Sequence, residues 1–153
     1  MSNPSAIEPV LGKRRVVVTG LGIVSPIGNN AAEVIESLKS GKSGIEAAPD
    51  YVEHGFRSQI HGSIKLDPSE HIDRKLMRFM GNAAAYAYIA MTQAIEDAGL
   101  TEDLISNNRT GLIAGSGVAS TSNQVAATDI TRKNGSPRKM GPTMVPRVMG
   151  STV

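Results

Sequence analysis

Residues 15–28 read Arg-Val-Val-Val-Thr-Gly-Leu-Gly-Ile-Val-Ser-Pro-Ile-Gly, and no other run constrains the fold as much. Val16, Val17 and Val18 form a short continuous apolar stretch, β-branched throughout. That is the pattern of a strand buried on both faces in a parallel sheet. Gly20 and Gly22 follow at once. A glycine lets the chain turn with positive φ, or lets another group come close to the backbone. A strand that runs into Gly-x-Gly therefore has two readings: a phosphate cradle, or a packing turn in a protein that binds no nucleotide.

Spacing separates the two. A dinucleotide fingerprint needs Gly-x-Gly-x-x-Gly or Ala at the start of a helix, with an acidic residue about 20 positions further on for the ribose. Here the third position is Ser25, Pro26 follows directly, and Gly28 comes three residues too late. Glu33 and Glu36 fall too early, while Lys39 and Lys42 carry the wrong sign. No Gly-x-x-x-x-Gly-Lys-Ser/Thr run occurs. The packing turn is the better reading, and a dinucleotide-dependent oxidoreductase is the weaker alternative.

Beyond the turn, Asn29 or Asn30 can cap a helix over about Ala31–Ser40, with Val34, Ile35 and Leu38 on one apolar stripe and Gly41 as its stop. Residues 42–70 mix Gly, Pro, Ser and His with short alternations at Ile60, Gly62, Ile64 and Leu66, which suggests an excursion holding one hairpin. An amphipathic start at Asp73–Met80 leads into an alanine-rich helix over Asn82–Ala98. Tyr88, Met91, Ile95 and Ala98 form its expected core stripe. So many alanines imply close approach to a neighbouring element. Gly99 stops the helix, Asn107 and Asn108 turn the chain, and Thr110–Ala114 reads as a second buried strand running into Gly115-Ser116-Gly117. The order strand, helix, excursion, helix, strand predicts an α/β fold with parallel core strands. Residues 1–14 read as a disordered leader, and 15–153 as an incomplete half of a larger domain, since Met144–Val153 is apolar without a stop signal.

Composition excludes several function classes. The net charge is +2, from 16 basic and 14 acidic side chains, too mild to argue for nucleic acid. The charge is uneven: after Asp129 come Arg132, Lys133, Arg138, Lys139 and Arg147 and no carboxylate, a solvated loop or a surface for an acidic partner. Cysteine is absent, so these residues hold no disulfide, thiolate metal site or cysteine nucleophile. No apolar run approaches the length of a membrane span, and a cytoplasmic location is expected. No cofactor is expected.

Candidate chemistry is sparse. Ser116 lies between glycines, but a nucleophile elbow needs glycine two residues before and after the serine, where Ala114 and Val118 stand. His54, His61 and His71 have neither helical metal spacing nor a cysteine partner, so no metal site is expected. Glu70 and Asp73 suit the N-terminus of the following helix better than paired-carboxylate catalysis. The residues alone assemble no catalytic acid, base and nucleophile.

Five segments in order nonetheless resemble the β-ketoacyl-acyl-carrier-protein synthases. They are residues 16–30; Gly41-Lys42-Ser43-Gly44-Ile45; Ile72-Asp73-Arg74-Lys75 with Arg78-Phe79-Met80; Asp97-Ala98-Gly99-Leu100; and Gly111–Gly117. The third most resembles the synthase I branch of bacterial type II fatty acid synthesis. The resemblance implies a thiolase-like fold, in which two similar α/β halves pack in five layers and two subunits form a homodimer. It implies a decarboxylative Claisen condensation between an acyl thioester and malonyl-acyl-carrier-protein, with a cysteine nucleophile assisted by two histidines and a lysine. It places that nucleophile beyond Val153, so no catalytic residue falls within this chain and the chain alone is expected to be inactive. Lys75 and Arg78 match positions that dock the acidic acyl carrier protein. Gln124, Val145 and Met149 match positions lining the acyl pocket, partly across the dimer, and Val118 stands at a pocket-bordering position where the family often has a glycine, a departure that bears on acyl-chain length. The alternatives are a relative that binds acyl chains without condensing them, such as a chain-length factor, and a bare carrier-binding module.

Overall fold

The computed structural model describes residues 15–153, and the expected leader lies outside them. Helix α1 spans Ala31–Ser40. Asn30 caps it by accepting from the Glu33 N–H at 3.0 Å. Glu33 reaches back to accept from the Asn29 N–H at 2.8 Å, so two otherwise orphaned donors are satisfied. Gly41, at φ 67°, closes the helix. Its N–H and that of Lys42 bond the Leu38 and Ser37 carbonyls, a pair of contacts that needs the left-handed conformation glycine adopts freely.

The excursion holds an antiparallel pair, β1 (Ile45–Ala47) and β2 (Ile60–Gly62), with Glu46 opposite His61. Between them lies the short helix α2 (Pro49–Glu53). A 3-10 turn over Pro68–Glu70 leads to α3 (Arg74–Met77), which Asp73 caps by accepting from the Lys75 N–H at 2.7 Å. Then comes the long helix α4 (Asn82–Asp97), ended at Gly99, and the single turn α5 (Glu102–Ile105). Helix α6 (Thr121–Asn134) starts at the buried Ser120 and packs against α7 (Met144–Val148).

The core sits where α3 and α4 meet the loop before them. Ile72, Ala85 and Ile89 are buried together, with Val24, Leu66, Met77 and Met80 packed around them. Ile89 lies one helical turn beyond Ala85, so one face of α4 carries this cluster.

Several expectations need correction. The parallel strands expected at Val16–Val18 and Thr110–Ala114 do not form among the described residues, where the only sheet is the β1–β2 pair. A strand's N–H and C=O groups are satisfied by a neighbouring strand, and neither segment has one here. Val16 is 93% exposed and Ile113 97%. The α1 stripe is narrower than expected: Val34 is buried, while Ile35 and Leu38 face outward. Its second inward residue is Ser37, whose hydroxyl donates to the Ile27 carbonyl at 2.6 Å. On α4, Ala84, Ala85 and Ile89 are buried, whereas Tyr88 and Met91 keep 43% and 40% of their surface exposed. Tyr88 and Met91 instead line an apolar hollow of about 230 Å³ with Met80, Ala84, Ala87, Leu112, Ala114, Thr152 and Val153. Helix α4 thus has apolar residues on two faces, a pattern typical of a helix enclosed on several sides.

Candidate functional site

The Gly-x-Gly turn lies against α4. A Cβ placed on Gly20 would fall 2.7 Å from the Ala98 Cβ; one on Gly22 would fall 2.8 Å from the Ala90 carbonyl carbon and the Ala94 nitrogen. The alanines of α4 and the two glycines therefore form one close contact between backbones. The amides between them are already used. Asp97 accepts from the Leu21 N–H at 2.9 Å, and Gln93 accepts from the Ile23 N–H at 3.0 Å. Gln93 also donates to the Asn29 carbonyl at 2.7 Å, tying the far end of the turn to the same helix. A phosphate cradle works by offering free N–H groups to the anion. Here protein side chains hold two of those groups and a helix backbone occupies the space, so the turn is a packing device.

The turn closes with paired bonds between Ser25 and Gly28, N–H to carbonyl in both directions, at 2.9 and 3.2 Å. Beside it lies a hollow of about 520 Å³, bordered by α1, Lys42 and Lys65. It brings together Glu33, Glu36 and two lysines and includes none of the expected site residues.

Lys75, within α3, and Arg78, at its C-terminal cap, are exposed. Arg147, on α7, donates from Nε to the Arg78 carbonyl at 2.9 Å. This bond joins two basic segments that are 69 residues apart in the chain. A Cβ on Gly81 would lie 3.0 Å from the Arg147 carbonyl oxygen and 2.7 Å from the Ser120 Cβ, so α7 and the start of α6 sit tightly on the α3–α4 junction. The sequence marks Arg147 only as one cation in a basic run. Its partner is a backbone carbonyl, which leaves no trace in residue types.

The four expected acyl-pocket residues lie on segments that adjoin: Val118 just before α6, Gln124 on it, Val145 on α7 and Met149 at its end. All four side chains are exposed, Val118 53%, Val145 56% and Met149 45%. None of the four is enclosed. The 280 Å³ hollow on the same helix is lined by Ala127, Thr128, Thr131, Arg132 and Met140.

His54 and His61 serve local structure. His54 Nδ1 lies 2.8 Å from the Asp50 carbonyl. His61 sits 3.4 Å from Glu46 and has its ring edge-on to Tyr51. Glu46 also accepts from Lys65 at 2.6 Å, and this bond, with the lysine's charge, holds its carboxyl below the usual carboxylate range. The Ser116 hydroxyl donates to the Val118 carbonyl at 3.1 Å, a turn contact. No group of three metal-ligating side chains occurs among the described residues, and no helix among them is long and apolar enough to cross a membrane.

Comparison with known proteins supplies what geometry alone does not. Residues 13–153 match the model of the beta-ketoacyl synthase N-terminal domain. The chain is 58% identical over 140 residues to 3-oxoacyl-[acyl-carrier-protein] synthase 1 of Haemophilus influenzae, covering 92% of this chain and 34% of that protein. It is 48% identical over 141 residues to the Escherichia coli protein of the same name, covering 92% and 35%. Among solved structures, the ishigamide ketosynthase/chain length factor aligns with a TM-score of 0.78 at 28% identity, over 91% of this chain and 35% of that one. A beta-ketoacyl synthase from Burkholderia phymatum aligns with a TM-score of 0.75 at 28% identity, over 92% and 35%. The chain therefore spans about a third of the length of the relatives it matches. The expected thiolase-like fold holds at the level of these neighbours, although the two core strands are unpaired here. With its sequence matched from residue 13 to its last residue, the chain belongs to the beta-ketoacyl synthase family, within the N-terminal domain.

Proposed function

We propose that this chain forms the N-terminal part of a condensing enzyme of fatty acid elongation, a homodimeric cytoplasmic acyltransferase. The observation that carries this reading is the 58% identity to a 3-oxoacyl-[acyl-carrier-protein] synthase 1 across nearly the whole chain. In the proposed reaction a cysteine thiolate attacks an acyl thioester and releases the carrier thiol. Malonyl-acyl-carrier-protein then loses carbon dioxide, and its carbanion attacks the enzyme thioester. The cysteine leaves, and a 3-oxoacyl thioester remains on the carrier. This chain contains no cysteine, so the nucleophile comes from the two thirds of the enzyme that the relatives carry beyond the matched region.

The chain's own residues take supporting roles. Lys75 and Arg78 offer exposed cations to the acidic carrier protein. Val118, Gln124, Val145 and Met149 offer a largely apolar face to the acyl chain, where each buried methylene contributes about 0.8 kcal/mol. The Gly20–Gly22 turn fixes the first segment against α4 and touches no substrate.

The test is to supply the complete enzyme with an acyl-carrier thioester and malonyl carrier protein, then follow carbon dioxide release and 3-oxoacyl product. Stoichiometric product with an acylated cysteine seen by mass spectrometry is expected. A second reading, a chain-length-factor-like protein, draws on the likeness to the ishigamide ketosynthase/chain length factor. Acyl binding with no acyl-cysteine and no product would establish it instead.

A further inference from the structure

Arg147 makes two contacts at one place. Its Nε–H donates to the Arg78 carbonyl at 2.9 Å, and its own carbonyl oxygen lies so close to Gly81 that a Cβ there would meet it at 3.0 Å. It is half-buried, and among the described residues its guanidinium makes no ion pair. Arg78 ends the helix that carries Lys75, and Arg147 lies on α7 between Val145 and Met149. One side chain therefore bridges the segment that presents the docking cations and the segment that presents the acyl face.

We propose that Arg147 is a positioning residue that couples carrier docking to the acyl face, through the Nε–H bond to Arg78 rather than through its charge. This rests on the docking and acyl roles proposed above. The carbonyl at a helix C-terminus has no intrahelical donor, and Arg147 supplies one. The bond fixes the orientation of the last turn of α3, and with it where Lys75 and Arg78 point. A carrier that pulls on these cations is held in register with the wall formed by Val145 and Met149.

Three substitutions in the complete enzyme separate donor from charge. Arg147→Gln keeps a nitrogen donor the same number of bonds from Cα as Nε but removes the charge. Arg147→Lys keeps the charge and puts a carbon at that place. Arg147→Met has neither donor nor charge. Each is assayed with the acyl group on carrier protein and with the same acyl group on free pantetheine. Loss of one such hydrogen bond predicts a fall of about fivefold in kcat/KM for the carrier-bound substrate in the Lys and Met variants, mostly in KM. The Gln variant should stay close to wild type, and all three should use acyl-pantetheine normally. Full activity in Lys with loss in Gln would assign the effect to charge and overturn the proposal. Equal loss with both substrates would mark a purely structural residue and overturn it too, as would no loss in any variant. Reversal of Lys75 and Arg78 to Glu, run alongside, tells the failures apart. If that reversal leaves carrier use intact, the docking reading itself falls; if it weakens carrier use while Arg147→Met does not, only the coupling falls.

Discussion

At the residue scale, the two glycines of the opening run have a physical reason for being glycine. Neither has the left-handed backbone that marks Gly41, Gly55, Gly99 and Gly135. What they need is space: α4 lies where their Cβ atoms would be. Gly22→Ala would force the turn away from Ala90 or open the bonds from Leu21 to Asp97 and from Ile23 to Gln93. Overpacking of this kind costs about 1–3 kcal/mol. Denaturant unfolding of the complete enzyme carrying Gly22→Ala should show a loss of that size, and an unchanged midpoint would mean that the turn is not pinned to α4. Both partners in this contact were legible in the sequence, the glycines as a site of close approach and the alanines as a face seeking it. That they approach each other was not legible, because nothing local links residues some 70 positions apart. The Arg147–Arg78 bond was illegible for a further reason: it reads a backbone carbonyl, so the identity of its acceptor residue is immaterial.

At the element scale, helices whose ends are set by local chemistry appear where the pattern puts them. Asn30, Glu33 and Gly41 delimit α1 through contacts within a few residues, and those signals survive in any tertiary setting. Strands lack that independence. Three valines favour an extended chain, but a strand is complete only when a partner accepts its ladder, and neither Val16–Val18 nor Thr110–Ala114 has one among the described residues. The two strands that do form, β1 and β2, lie in the stretch that looked least regular, because the twelve intervening residues, 48–59, with their own short helix bring the strands back into register. Helix α3 is short: Met77 packs on the core cluster, and its exposed cations are the proposed docking residues. Lys75 and Arg78 are exposed, and the described residues show them in no ion pair, so replacing both with Glu leaves the core cluster untouched. The complete enzyme with both reversals should keep its unfolding midpoint and lose carrier-bound substrate use at low salt, with a smaller difference at high salt as screening sets in. Unchanged kinetics with carrier-bound substrate at low salt would remove these two residues from the docking surface.

At the scale of the whole molecule, the surface and the core disagree about self-sufficiency. Among the described residues the buried apolar positions are Val34, Ala48, Ile72, Ala84, Ala85, Ile89 and Ala119, four of them alanine, and no large side chain is fully enclosed. Only three bulky residues are therefore buried, each contributing about 1.5–3 kcal/mol. Ordering the backbone costs about 1–2 kcal/mol for every residue fixed. The accessible surface is 12120 Å², whereas a compact folded chain of this length exposes about 7,400 Å². The excess includes the valines of the opening run, Leu112, Ile113 and the Val118–Val145–Met149 face, which are apolar surfaces of the kind that mark interfaces or drive association. Residues 16–18 and 111–114, in no helix or strand and without backbone hydrogen bonds among the described residues, add open backbone groups of the kind that recruit other chains. Expressed as these 153 residues alone, the chain should elute in the void volume or as a broad distribution, bind a hydrophobic dye, and melt without a cooperative transition. Size-exclusion chromatography with light scattering and calorimetry reads all of this directly. A monodisperse monomer with a sharp calorimetric transition would show that the described fold is complete in itself, and would count against the rest of a condensing enzyme as the cover for these faces.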